Sequence, residues 1–328
     1  MSDVASTPAS DLSRQTTERH RQKSYRGYLY IAAATFSWGI SATLGRAAFT
    51  GRLLPGSGIT NINPLILSQC RTTFSFLLIG LGLLPRRGWR KLRLPLPDVA
   101  RMFLLGVGGV AASNYFYYLA IQRTNVATAI IVQYTAPVWV LLYMVARGAE
   151  RPTLSKISSV FIAVVGIALV IGLFGPGKLH LDTLGVAAAL VAAFSFAFYN
   201  IGGHSILARY DHWTVLLYTT MAASLFWIAA NPPNRILAAH YSSGAWLFLL
   251  IFAILSVLVP FAFYFAGLQH LEPTKAIVVS CLEPVFSILI AAIALHEFVR
   301  PLQGLGILMV LSAIVIVQRP QRAVAPID

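Results

Sequence analysis

The sequence predicts an all-α integral membrane protein, with ten transmembrane helices arranged as two inverted five-helix repeats. Three observations predict it. The 328 residues are 57% hydrophobic and only 11% charged, with a mean hydropathy of +0.71. An ordinary soluble domain carries roughly 25% charged residues, so lipid must be the solvent for much of this chain. Ten apolar runs follow one another, each near the roughly 20 residues that span a bilayer as helix. The second half also repeats the first: Gln122, Ala129, Pro137 and Glu150 recur 147 positions later as Gln269, Ala276, Pro284 and Glu297.

Residues 1–26 are rich in Ser, Thr and charge and nearly free of large apolar side chains, so the reading is a disordered cytoplasmic tail. They lack the short apolar core and small-residue cleavage site of a signal peptide. The expected spans in the first half are Tyr28–Phe49, Pro64–Leu84, Ala100–Gln122, Ala127–Ala146 and Ser155–Phe174. Those in the second half are Leu184–Leu207, Trp213–Ala230, Ala245–Leu268, Thr274–Leu295 and Pro301–Val317. These runs are too long and too evenly apolar for barrel strands, which alternate. They make one transmembrane domain, 27–318, with repeat one at 27–174, repeat two at 184–318 and a short cytoplasmic tail at 319–328.

The net charge of +14 would suggest nucleic acid in a soluble protein. Here the Lys and Arg stand between apolar runs, so the charge reads as membrane orientation and no nucleic-acid partner is expected. With the N-terminus inside, the inner side collects the tail, the Arg86–Arg93 loop, Arg101, Arg147, Arg151, Lys156, Arg209, Lys275, Arg319 and Arg322. The outer side collects Arg46, Arg52, Arg123, Lys178, Arg235 and Arg300. That is roughly three basic residues inside for each one outside, which places both termini in the cytoplasm. The only cysteines, Cys70 and Cys281, lie inside apolar runs and read as small buried residues.

The repeat extends beyond single residues. FYYLAIQ at Phe116–Gln122 pairs with FYFAGLQ at Phe263–Gln269, and Phe36-Ser37-Trp38 pairs with Phe194-Ser195-Phe196. Five helices is an odd number, so the second copy crosses the membrane upside down. Inverted repeats of this kind place a binding site near the midplane at the repeat interface. The two copies of one stretch mark that place: AIIVQYTAP at Ala129–Pro137 and AIVVSCLEP at Ala276–Pro284. Each proline removes an N–H in mid-helix and frees the carbonyl four residues back, on Gln133 and on Ser280.

Polar side chains inside these runs are the candidate cargo-binding residues. Glu283 is a carboxylate at mid-helix, where charge is costly and marks function by default. It either contacts cargo or protons, or holds two helices together. Arg71 either faces an anionic group or Glu283, or pins its helix to backbone carbonyls, and pinning is preferred. Gln133 reads as cavity lining, whereas Ser280 fits a cavity or a helix contact equally. Asn114, Tyr117 and Tyr118 share one helix face, and Tyr264 is the repeat mate of Tyr117; these aromatics either wall a pocket or form an interfacial belt. Trp38 and its mate Phe196 carry the same ambiguity, with packing favoured. Glu150 and Glu297 each precede a helix with a nearby proline, and read as acids that fix turns at helix N-termini.

The helix-pair pattern A-I-x-x-T-x-V-x-x-A-x-x-V-x-x-x-x-P with G-x-E-R-P, at Ala120–Pro152, resembles EamA-type members of the drug/metabolite transporter superfamily. So do G-L-Q-x-L-E-P-T-K-A and L-E-P-V-F within Gly267–Glu297, F-S-W-G at Phe36–Gly39, and Pro64 with Arg71 seven residues on. His296-Glu297-Phe298 departs from the family's usual Gly-Glu-Arg. The resemblance implies ten helices around a central cavity that moves small metabolites, often outward.

The functional expectation is a secondary transporter, exporting small metabolites such as amino acids by alternating access. The alternatives are a carrier of sugar phosphates or nucleotide sugars, and a membrane sensor. No Walker A loop, Gly-x-Ser-x-Gly or His-Glu-x-x-His motif occurs, so an enzyme or an ATP-driven pump is not expected. No cofactor or metal is expected either. The expected partners are small-molecule cargo, protons, the lipid bilayer and a second copy in a homodimer, in the bacterial inner membrane.

Overall fold

A computed structural model of the chain describes residues 9–49, 62, 64–124, 126–172, 182–294 and 298–319. Among these residues every regular element is helical. The first half holds α1 (Ala9–Phe49), α2 (Pro64–Arg87), α3 (96–123), α4 (126–146) and α5 (Leu154–Val170). The second holds α6 (Thr183–Leu207), α7 (His212–Ala230), α8 (Ser243–Leu268), α9 (Pro273–Ala294) and α10 (Pro301–Val317). Two short helices, Trp89–Leu92 and Pro233–Leu237, lie in connections. Seven of the described helices are long and apolar enough to cross a membrane; α5 and α10 are apolar but shorter.

Most helix limits fall within a few residues of the sequence expectation. The largest difference is α1, which begins at Ala9 and so runs through most of the stretch expected to be disordered. Residues 9–26 contain no Gly or Pro and several good helix formers. Such a segment cannot build a core, but it can extend a helix nucleated by the apolar run that follows it.

The 147-residue spacing is reproduced in the irregularities of the helices. In α4 the ladder breaks at Tyr134-Thr135, between Val126–Gln133 and Ala136–Ala146. In α9 it breaks at Cys281, between Pro273–Ser280 and Leu282–Ala294. These breaks lie beside Pro137 and Pro284, as the missing N–H groups require. A second pair was not foreseen. Helix α3 carries a π turn at Gly106–Ala111, and α8 carries one at Ile254–Leu258, where 107 and 111 plus 147 would fall. A π turn inserts one residue into the ladder and commonly marks a functional position.

Packing exchanges the halves. Helix α1 lies against α8 and α9, while α6 lies against α3 and α4; α2 packs on α7, and α5 on α10. The α5–α10 crossing needs glycine on both sides. A Cβ on Gly306 would stand 2.6 Å from the Gly166 carbonyl oxygen. Small residues of this kind let membrane helices approach backbone to backbone. Gly39 does the same for α1, where a Cβ would meet the Phe286 Cβ at 2.8 Å and fix α1 beside the broken part of α9.

One end of the bundle is tied by charge. Lys156 and the Glu150 side chain are buried, with Nζ 2.7 Å from Glu150 Oε2 and 3.1 Å from Glu272 Oε2. Lys275 adds a contact to Glu272 at 3.2 Å. The Thr274 backbone N–H donates to Glu150 Oε1 at 3.3 Å. Glu150 therefore supports a helix N-terminus, as expected, but that of α9 in the other half. The α5 N-cap is taken by Thr153, whose hydroxyl accepts from the Lys156 N–H. Glu297, its repeat mate, lies outside the described residues.

Candidate functional site

The candidate site forms where α2, α3, α4 and α9 meet. Its starting point is the break in α9. Glu283 stands in the first turn of Leu282–Ala294, where the helix dipole favours a carboxylate. The break in α4 brings Tyr134 close enough for its hydroxyl to act on the Glu283 carboxyl group. Arg71 of α2 is close enough to act on the same carboxylate electrostatically.

The π turn of α3 positions the other side. Within that turn the Val110 carbonyl accepts from Asn114 Nδ2 at 2.7 Å. That bond turns Asn114 Oδ1 toward α2, where it accepts from Arg71 Nη2. Arg71 Nε is buried with no hydrogen-bond partner. The guanidinium thus has donor capacity left over in a region where unmet donors are costly. Gln133 stands one residue before Tyr134 and donates through Nε2 to Ser113 Oγ at 3.3 Å, while Ser113 Oγ in turn reaches the Ala192 carbonyl at 3.4 Å. Tyr117 is close enough to Tyr134 for electrostatic contact. Arg71, Asn114, Tyr117, Gln133, Tyr134 and Glu283 all keep part of their surface uncovered.

Trp38, Tyr264 and Ser280 are placed differently. Trp38 is 9% exposed, and its Nε1 donates at 3.2 Å to the Ser256 carbonyl, inside the α8 π turn. Tyr264 is fully buried; its hydroxyl accepts from Asn200 Nδ2, and its ring packs 5.4 Å from that of Trp38. Ser280 is buried and donates to the Ile277 carbonyl of its own helix at 2.7 Å. Trp38 and Tyr264 thus join α1 and α6 to α8, while the Ser280 bond stays within α9. The side chain of Tyr118 lies outside the described residues.

Sequence reasoning missed Tyr134, Ser113 and Asn200. Tyr134 carried a signal, since it lies within the repeated nine-residue stretch next to Gln133. Ser113 and Asn200 carried none, because their partners lie 20 and 64 residues away. Among the described residues no group of three or more His, Cys, Asp or Glu is arranged to hold a metal ion. The arrangement offers a guanidinium bonded to the Asn114 amide and a carboxyl group with Tyr134 beside it.

The EamA-like transporter family matches residues 25–172 and, a second time, residues 183–319. The chain belongs to this family. The two matches divide the chain where the helices do, between α5 and α6. Among its relatives is YicL of Salmonella typhimurium, an uncharacterized inner membrane transporter. It is 23% identical over 300 residues, covering 90% of this chain and 96% of YicL. The threonine/homoserine exporter RhtA of Escherichia coli is 28% identical over 225 residues, which are 67% of this chain and 72% of RhtA. A crystal structure of a protein 20% identical shares the fold, with a TM-score of 0.70 over 89% of this chain and 96% of the other.

Proposed function

We propose that the chain is a secondary transporter that exports small metabolites, amino acids first, by alternating access. In this reading all ten helices cross the membrane, and the second five do so inverted relative to the first. At 17 residues each, α5 and α10 reach the lower end of the roughly 17–25 residues that a span needs. The inner-side excess of Lys and Arg supports an orientation with both termini in the cytoplasm, in the bacterial inner membrane.

One observation carries the reading. Two helices broken at equivalent positions of the two halves set the Glu283 carboxyl group near Tyr134, within electrostatic reach of the Arg71 guanidinium on α2. Discontinuous helices that expose backbone and charge at mid-depth are how inverted-repeat transporters build a site between their moving parts. The family and the exporter among the relatives support the outward direction and the cargo class. Sugar phosphates would ask for several free cations. Of the two described cations inside the bundle, Lys156 is engaged by two carboxylates, which leaves Arg71.

Reconstitution into proteoliposomes tests the proposal. Folded protein should release preloaded labelled amino acids, and flux for none of the twenty would count decisively against it. Protons are proposed to drive export through Glu283. Glu283→Gln should abolish driving by a pH gradient, and unchanged driving in that variant would sink the proton role.

A further inference from the structure

Arg71 and Glu283 are more useful as a pair than as separate charges. Their sum is zero, yet they present two poles fixed on different helices. A net anion entering the site meets Glu283, and a net cation meets Arg71, so either is penalised by the unlike demands of the two poles. A ligand that is neutral overall and dipolar meets neither penalty. Both poles also have capacity to spare. The Arg71 fork gives Nη2 to Asn114 and leaves Nε without a partner. A guanidinium matches a carboxylate through two parallel N–H bonds, which the free edge of this fork could supply. The Glu283 carboxyl group has Tyr134 as a neighbour and keeps part of its surface uncovered, and a carboxylate has about four acceptor sites, so there is room for an ammonium group.

Resting on the reading of the chain as an amino-acid exporter, we propose that this site reads the backbone of the amino acid rather than its side chain. The α-carboxylate lies on Arg71 beside Asn114, and the α-ammonium lies on Glu283 beside Tyr134. Recognition then requires both free groups at once. Amides and esters, which lack the anion, are rejected, as are 2-hydroxy acids, which lack the cation. Asn114 and Tyr134 act as positioning residues, each holding one charged group in place.

The test is counterflow in proteoliposomes of the full chain. Whichever of the twenty amino acids gives the largest flux serves as reference, and its amide and its 2-hydroxy acid serve as competitors. In the wild type both competitors should inhibit at least about tenfold less well than the amino acid itself. Arg71→Gln should remove most of the discrimination against the amide and leave discrimination against the hydroxy acid. Glu283→Gln should do the reverse. Arg71→Lys and Glu283→Asp keep the charges, and should keep the order of preference at lower affinity even if the neutral variants fold poorly. An amide or hydroxy acid as effective as the amino acid in the wild type overturns the proposal. So do variants that lose all three ligands in parallel while the charge-conserving pair behaves the same way. Flux for no amino acid removes the exporter reading itself. Flux with an unmoved preference leaves that reading standing and removes only the pole assignment.

Discussion

Lys156 and Gln303 are repeat mates at the third position of two 17-residue helices, yet they use their side chains differently. Gln303 turns back on its own helix start, accepting from the Arg300 N–H at 2.9 Å, and donates to the Val170 carbonyl at 3.1 Å. Both bonds are neutral, and water can replace either one. Lys156 leaves helix capping to Thr153 and reaches Glu150 and Glu272 instead, joining the first half to the start of α9 in the second. An ion pair buried this deeply is not easily exchanged for water. Its partners cannot part without leaving a charge uncompensated. Two ends built to one plan therefore resist separation unequally. In the proposed orientation the ionic end faces the cytoplasm, so the cytoplasmic closure should be the firmer of the two.

The comparison breaks most sharply at Lys156. Lys156→Met leaves Glu150 buried with no cation and should cost about 3–5 kcal/mol, read as a large drop in thermal unfolding temperature in detergent. A change within error would mean that the junction is held by packing alone. The double variant Glu150→Gln with Lys156→Gln makes the ionic end resemble the neutral one. It should cost less than the sum of its single variants, by a coupling of about 0.5–3 kcal/mol. Simple additivity would show that the two charges do not act as a unit.

The parts of this architecture that depend on local chemistry were legible in the sequence. Run length and hydropathy gave the helices, and Pro137 and Pro284 gave the two breaks, because a missing N–H acts on its own helix. The π turns gave no warning. Gly106–Ala111 and Ile254–Leu258 share no proline or polar residue that would announce an inserted residue. Arg71 could be placed at depth but not given a partner, since the rotation of α2 against α3 and α9 is set by packing. Lys156 read only as one more inner-side charge. Its burial depends on carboxylates from two other connections, and no spacing within α5 reveals them. The same limit hid the helix that Glu150 supports, since Thr274 is distant in sequence.

Two smaller effects sharpen the contrast. Gln303→Ala should cost about 1 kcal/mol, the scale of a hydrogen bond whose partners remain reachable by water. A loss as large as that of Lys156→Met would erase the proposed asymmetry. The smallest effect concerns acid. Burial pushes the Glu272 carboxyl up, but Lys275 and Lys156 outweigh burial and hold it below its ordinary value of 4.5. A carboxylate whose folded-state pKa is depressed stabilises the fold fully above its unfolded value, and that stabilisation is lost as pH falls through the folded one. The wild type should therefore lose stability below about pH 4.5 more steeply than Glu272→Gln, which has no proton to take up there. The side chain is 44% exposed, so solvent screens the pairs and the difference should stay under about 0.5 kcal/mol. Parallel pH profiles for the two proteins would show that Glu272 only borders the junction, and that the firm closure rests on Glu150 and Lys156 alone.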